Sequence, residues 1–261
     1  MPAPNGYVRS VSTGQLQMDY VYGATLGRAG ADHIKTASFG RTPGSLDNTD
    51  IWEGGSLYTF LATASILESV SDSALDTAAG TGARTILISG LDANFNQISE
   101  VVVLAGLTPV QSVNSYLRVN FVTTVTAGST GVNQGSITVR VTGGGTIQSI
   151  MRNGYGFAKS AIYTVPAGHT LLLTELSFGC AGTGGADSVT IAGTRISPTG
   201  LITVTQEFPT GALVPITVAL SVGATVSEKT SFVMRITEVS GASIITYAEF
   251  GGILIINTQL T

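Results

Sequence analysis

Charge is the scarcest feature of this chain: Asp, Glu, Lys and Arg make up 11% of its 261 residues, against about 25% in an ordinary soluble domain. Solitary domains keep charge on water-facing positions because charged groups stay hydrated and repel neighbouring molecules. Gly, Ser and Thr fill those positions here, and small polar residues resist self-association poorly, so the composition points to a subunit whose surface companions cover. Cysteine is nearly absent. Cys180 stands alone, which excludes an intrachain disulfide, and with His33 and His169 as the only histidines no Cys/His cluster of zinc spacing exists. No apolar run approaches the roughly 18 residues of a membrane-crossing helix, although 43% of residues are hydrophobic and mean hydropathy is +0.36; no membrane partner is expected. Basic charge is short as well. Twelve Lys and Arg against 16 Asp and Glu give a net charge of −4 and a pI near 5.1, the reverse of a footprint that grips phosphate backbones, so nucleic acid is not expected as a partner. The start, Met1-Pro2-Ala3-Pro4-Asn5-Gly6, lacks the basic and apolar regions of a secretory signal, and synthesis in a cytoplasm is expected.

What is present reads as strands. Residues 1–55 scatter Arg9, Arg28, Lys35 and Arg41 among glycines and aromatics with no sustained period of two or of about 3.6, and they read as an extended N-terminal arm. Such a segment buries little against itself. Tyr7, Tyr20, Tyr22, Phe39 and Trp52 must therefore pack on the body, the commoner fate of any single aromatic, or reach a neighbouring subunit, which makes them the candidate interface residues. A body without residues 1–50 is expected to fold but to assemble poorly. From 56 to 261 short apolar runs alternate with turn clusters, and a composition shift around Gly154-Tyr155-Gly156 marks a sub-boundary near 150–157. Alternation places Ile137, Val139 and Val141 on one strand face, and likewise Leu117 with Val119 and Phe121, Val189 with Ile191, Ile202 with Val204, and Phe232 with Met234 and Ile236. Val101 to Leu104 and Gly252 to Ile256 are apolar on both parities, which predicts central strands covered on both sides. Thr63 to Val70 has room for a turn or two of helix, and no longer amphipathic helix appears. Roughly a dozen strands spaced near ten residues make the chain all-β, an antiparallel sandwich or jelly roll.

Catalytic constellations are weak. His169 sits beside Pro166-Ala167-Gly168, a tight turn, and belongs to no H-E-x-x-H spacing. No G-x-S-x-G elbow occurs. Asp47/Asp50 and Asp72/Asp76 lack calcium-loop spacing and read as turn caps. Glu68, Glu100, Glu175, Glu207, Glu238 and Glu249 lie on strands where glycosidase carboxylates can occur, yet nothing singles out a pair. The stretches Gly80-Thr81-Gly82, Gly143-Gly144-Gly145 and Gly182-Thr183-Gly184-Gly185 open no helix, so they read as interstrand loops rather than phosphate cradles. No cofactor and no metal are expected. An aromatic fraction of 7% opposes a dense sugar-stacking platform.

Three segments, Asp50-Ile51-Trp52-Glu53-Gly54-Gly55 with Asp76 to Leu104, Ala161 to Thr170, and Ala248 to Ile255, together resemble virion structural proteins of tailed bacteriophages. The long repetitive shaft of tail fibres is missing. The resemblance implies a non-enzymatic, jelly-roll-like cement or decoration protein on the exterior of a phage head, a homotrimer bound to the major capsid protein. The alternative it leaves open is a tail-associated or receptor-binding virion protein that takes a host surface glycan.

Overall fold

The computed structural model describes residues 7–9, 16–18, 33–42, 47–181, 188–211, 216–219, 224–240 and 244–257. Their regular structure is strand. The N-terminal third contributes β1 (Tyr7–Arg9), β2 (Leu16–Met18), β3 (His33–Thr42), β4 (Thr49–Asp50), β5 (Ser65–Ser71) and β6 (Ala83–Leu91). The middle contributes β7 (Gln97–Val103), β8 (Val110–Tyr116), β9 (Arg118–Ala127), β10 (Ile137–Val141), β11 (Ile147–Met151) and β12 (Ile162–Thr164). The rest are β13 (His169–Ala181), β14 (Ser188–Ile196), β15 (Ile202–Gly211), β16 (Ile216–Ala219), β17 (Thr225–Val226), β18 (Ser231–Ser240) and β19 (Ile245–Ile256). Every ladder is antiparallel.

The strands from β3 onward sort into two sandwiches, while β1 and β2 pair only with each other. In the first, the sheet β11-β10-β5-β8 faces β7-β6-β9 over a core that includes Leu67, Ile86, Ile88, Tyr116, Val122, Ile137, Val139 and Met151. In the second, β12-β18-β14-β15 with β4 faces β16-β13-β19-β3 with β17, over Leu171, Phe178, Ile191, Phe232, Met234 and Phe250. The rings of Tyr116, Phe178, Phe232 and Phe250 are wholly buried, each contributing roughly 1.5–3 kcal/mol by area removed from water. The alternation that placed Ile137 and Val139 inward, and Phe232, Met234 and Ile236 together, matches these cores.

Several expectations are corrected. Residues 33–55 are not a separate arm: β3 forms a ten-residue ladder with β19, β4 pairs with β18, and Ile51 is a core residue of the second sandwich. A β-carbon on Gly40 would stand 2.2 Å from the Ile51 carbonyl oxygen and 2.3 Å from the Ala161 nitrogen, so only glycine lets these backbones meet. A body cut after residue 50 would lose β3 and β4 from the two sheets of the second sandwich, so a loss of stability is expected in place of intact folding. Thr63 to Val70 is strand rather than helix from Ser65 onward, because β5 is hydrogen-bonded between β10 and β8. Val101 to Leu104 is not central: β7 is a sheet edge and exposes Val101 and Val103 while burying Val102 and Leu104. Gly252 to Ile255, by contrast, is buried on both parities between β13 and β3. Leu117 and Val119 are buried but Phe121 is exposed, since the ladder passes from Gly90↔Val119 to Ser89↔Phe121 and the extra residue, Asn120, reverses the facing of the residues after it. Ile202 and Val204 share a face as expected, but on an edge strand that leaves both about half exposed, at 53% and 49%.

Candidate interaction surface

The two sandwiches are joined by the segment around Trp52. Asp50 is buried and accepts from Arg235 Nε at 2.6 Å and from the Tyr58 amide at 2.8 Å. Glu53, also buried, takes Arg152 and, at 3.5 Å, Arg41. Trp52 is 5% exposed, packs edge-on against Tyr58 with ring centroids 5.1 Å apart, and donates Nε1–H to the Ser56 carbonyl at 2.7 Å. Its ring therefore fills the junction within its own chain, the commoner of the two fates that the sequence left open. Tyr58 completes the seam by donating its hydroxyl to Gln148. Asn120 and Thr164 exchange two hydrogen bonds across the same seam, each 2.9 Å. Of the other candidate aromatics, Tyr7 opens β1 opposite Met18 and Phe39 lies in β3 opposite Glu249. Their side chains lie outside the described residues, as do Tyr20 and Tyr22 altogether.

A different surface stands out. The outward side of the β7-β6-β9 sheet carries three cross-strand rows, Val103–Thr85–Thr126, Val101–Leu87–Thr123 and Ser99–Ser89–Phe121. None holds an ionisable group. Val101 (54%), Val103 (51%), Phe121 (45%) and the bulged Val125 (51%) are all exposed, and the Thr85 and Thr126 hydroxyls satisfy one another at 2.7 Å. The same sheet has β7 as a free edge. Scattered exposed apolar residues are normal, but a sheet face that mixes exposed apolar with hydroxyl side chains, holds no charge in these rows and has an unpaired edge is the form of a binding surface. Sequence periodicity missed it because Val101, Val103 and Phe121 read as core.

Several of the residues considered for chemistry are committed to structure. Asp72 and Asp76 accept from backbone amides that include those of the 134–136 loop, and Asp47 accepts from the Val239 amide at 2.7 Å, so these carboxylates tie distant segments together rather than cap their own turns. His169 opens β13, half-buried, with Nδ1 at 2.8 Å from the Ala167 carbonyl. His33 lies in β3 with its side chain outside the described residues, and so does the whole of Gly182 to Gly185. Among the described residues no three His, Cys, Asp or Glu side chains converge as a metal site. Glu100 ties β7 to β8 by accepting from the Val113 and Asn114 amides. The Gly143-Gly144-Gly145 loop does cradle an anion, but its own: the Gly143 and Gly144 amides donate to Glu68 at 3.0 and 3.1 Å, beside Arg140 at 2.7 Å.

Those contacts hold the Glu68 carboxyl below its ordinary value, the Gly143 amide contributing most, with burial opposing and Arg140 assisting. A carboxyl lowered in the folded state stabilises the fold above its unfolded pKa, and that contribution disappears as pH falls through the folded value. Glu68→Gln is accordingly expected to flatten the acid limb of the first sandwich's stability below about pH 4.5. Chemical denaturation measured across a pH series checks this, and identical limbs for both proteins would contradict it.

No protein-family model matches the chain, and no curated protein matches it. Among solved structures the chain is similar to infectious bursal virus derived T=1 particles, at 9% identity over 91% of this chain and 83% of that chain, with a TM-score of 0.13. It is similar in the same degree to infectious bursal disease virus Gt strain, at 9% identity over 92% and 87% of the two chains, again with a TM-score of 0.13. Superpositions that loose carry no argument about this chain, whose surface is read on its own geometry.

Proposed function

We propose that this chain is a non-enzymatic structural subunit of a virion, acting as a cement or decoration protein that bridges neighbouring capsomers on the exterior of a phage head. The observation that carries the reading is the uncharged sheet face of Val101, Val103, Phe121 and Val125 beside the open β7 edge. It agrees with a chain that is only 11% charged and with the phage-like segments, two of which, Asp50 to Gly55 and Asp76 to Leu104, build the seam and the sheet that carries the face. A shell under internal pressure stiffens when a second protein straddles its junctions and buries apolar surface there. In this reading the companions are further copies of the chain, as a homotrimer, and the major capsid protein.

Quantitative mass spectrometry of purified virions tests it, the expected stoichiometry being on the order of tens to hundreds of copies per particle. About six to eighteen copies would place the protein in the tail instead, and none would end the virion reading. Val101→Lys with Phe121→Lys is expected to leave folding stability within about 0.5 kcal/mol, as at other exposed sites, while incorporation into particles falls at least tenfold. Full incorporation of this double variant would remove the face from the interface.

A further inference from the structure

We propose that the cleft around Arg118 is a binding site for a carboxylate carried on a saccharide-sized body, an acidic sugar of the uronic or sialic type. The cleft, about 450 Å³, opens at the seam between the sandwiches, walled by Phe60 to Ala62, by the β6–β7 turn with Ala93 and Phe95, and by the β14–β15 turn from Ile196 to Gly200. Arg118 enters it from the start of β9 and is its one charged lining residue among the described residues. The guanidinium lies between two rings, with the Phe60 centroid at 4.9 Å and that of Phe95 at 5.6 Å. Nη1 has a structural role, donating to the Leu61 and Leu117 carbonyls at 2.8 Å each.

The other edge of the fork is unused. Arg41, Arg140, Arg152 and Arg235 each have a carboxylate within ion-pair distance, whereas Arg118, like Arg84 and Arg195, is in none of the ion pairs among the described residues, and its buried Nε has no acceptor among the described residues. A buried donor left unmade costs about 1–3 kcal/mol, and burial pulls the guanidinium below its ordinary pKa, so the site is held at an energetic disadvantage that an anion would relieve. The Nε–Nη2 edge is the one that receives a planar carboxylate through two parallel hydrogen bonds. One guanidinium with no second cation suits a monoanion better than a phosphate. The volume falls in the range of small-molecule sites, about 300–1,000 Å³, larger than one acidic side chain would fill, and the Ser197 and Ser231 hydroxyls at its wall are bonded to Thr199 and Thr164, which leaves Arg118 as the group that orients a ligand.

This site goes beyond the virion reading and does not depend on it, since the test uses the isolated full chain. Calorimetric titration with sodium glucuronate and with N-acetylneuraminic acid, against glucose and inorganic phosphate, is expected to give saturable binding for at least one of the two acids and none for glucose. Arg118→Lys keeps the charge but loses the fork, and Ala93→Leu fills the cleft from an exposed turn position while leaving Arg118 untouched; each is expected to weaken binding at least tenfold. Absence of saturable binding for both acids, glucose or phosphate binding as tightly as the acids, or wild-type affinity in Ala93→Leu would overturn the assignment. Should Arg118→Lys fail to fold, Ala93→Leu alone decides.

Discussion

Asp50→Ala is expected to destabilise the second sandwich by about 3–5 kcal/mol, the cost of leaving one member of a buried ion pair without the other. That is a large part of the roughly 5–15 kcal/mol that holds a domain. Asp50 has no exposed side-chain surface, and the Arg235 side chain is 15% exposed. With the carboxylate gone, Arg235 Nε and Nη2 lose acceptors at 2.6 and 3.3 Å, and the Tyr58 amide loses its own at 2.8 Å. Burial raises the Asp50 carboxyl against the pull of Arg235, so desolvation offsets much of the pair's attraction and the damage comes from the stranded guanidinium rather than from a lost net gain. The double variant Asp50→Ala/Arg235→Met should therefore be markedly more stable than Asp50→Ala alone, and loosening in the single variant should spread to the Trp52–Tyr58 packing at the seam. Urea unfolding with Trp52 fluorescence measures both, since Trp52 is the single tryptophan. A single variant within about 1 kcal/mol of the parent, or a double variant as unstable as the sum of its parts, would show that the pair is not what holds β4 to β18.

Much of this fold is legible in the sequence because alternation reports facing wherever a ladder runs unbroken. Ile137 and Val139, or Phe232, Met234 and Ile236, could be placed inward from their spacing alone. Phe121 could not. Its facing is reversed at Asn120, which is held by Thr164 some 44 residues away, and nothing local announces a bulge fixed by so distant a partner. Val101 to Leu104 and Ile253 to Ile256 are compositionally alike, yet one became an edge and the other a centre, because strand neighbours are chosen by tertiary pairing rather than by the strand itself. The same limit concealed the role of residues 33–50, whose ladder partners β19 and β18 lie near the other end of the chain. It also concealed the surface: aromatics in an irregular segment looked like contact residues, whereas Trp52 fills the seam and the exposed face belongs to residues that read as core. Arg118 belongs to no motif, and what sets it apart is its place in the cleft between the Phe60 and Phe95 rings, a property of the folded neighbourhood.

Asp76→Ala is expected to unfold the first sandwich preferentially, at a cost of at least about 3 kcal/mol when several buried donors lose a charged acceptor together. The carboxylate is fully buried. Oδ1 accepts from the Ala83 and Gln134 amides at 2.8 Å each, and Oδ2 accepts from the Gly135 amide at 2.8 Å and the Ser71 hydroxyl at 2.6 Å. One side chain thereby fixes the end of β5, the start of β6 and the loop before β10. The surrounding glycines make room for this arrangement: a β-carbon on Gly82 would stand 2.1 Å from Asp76 Oδ1, and one on Gly80 would stand 2.0 Å from the Leu75 carbonyl oxygen. Asp76→Asn matches the shape but turns one acceptor into a donor facing donors, so it should be nearly as damaging as Ala, whereas a site valued only for packing would tolerate it. Hydrogen exchange read by mass spectrometry separates the outcomes. Protection is expected to fall in β5, β6 and the loop at 133–136 while β13 and β19 keep theirs; equal protection in Asp76→Asn and the parent would mean that these amides are held by something other than the charge.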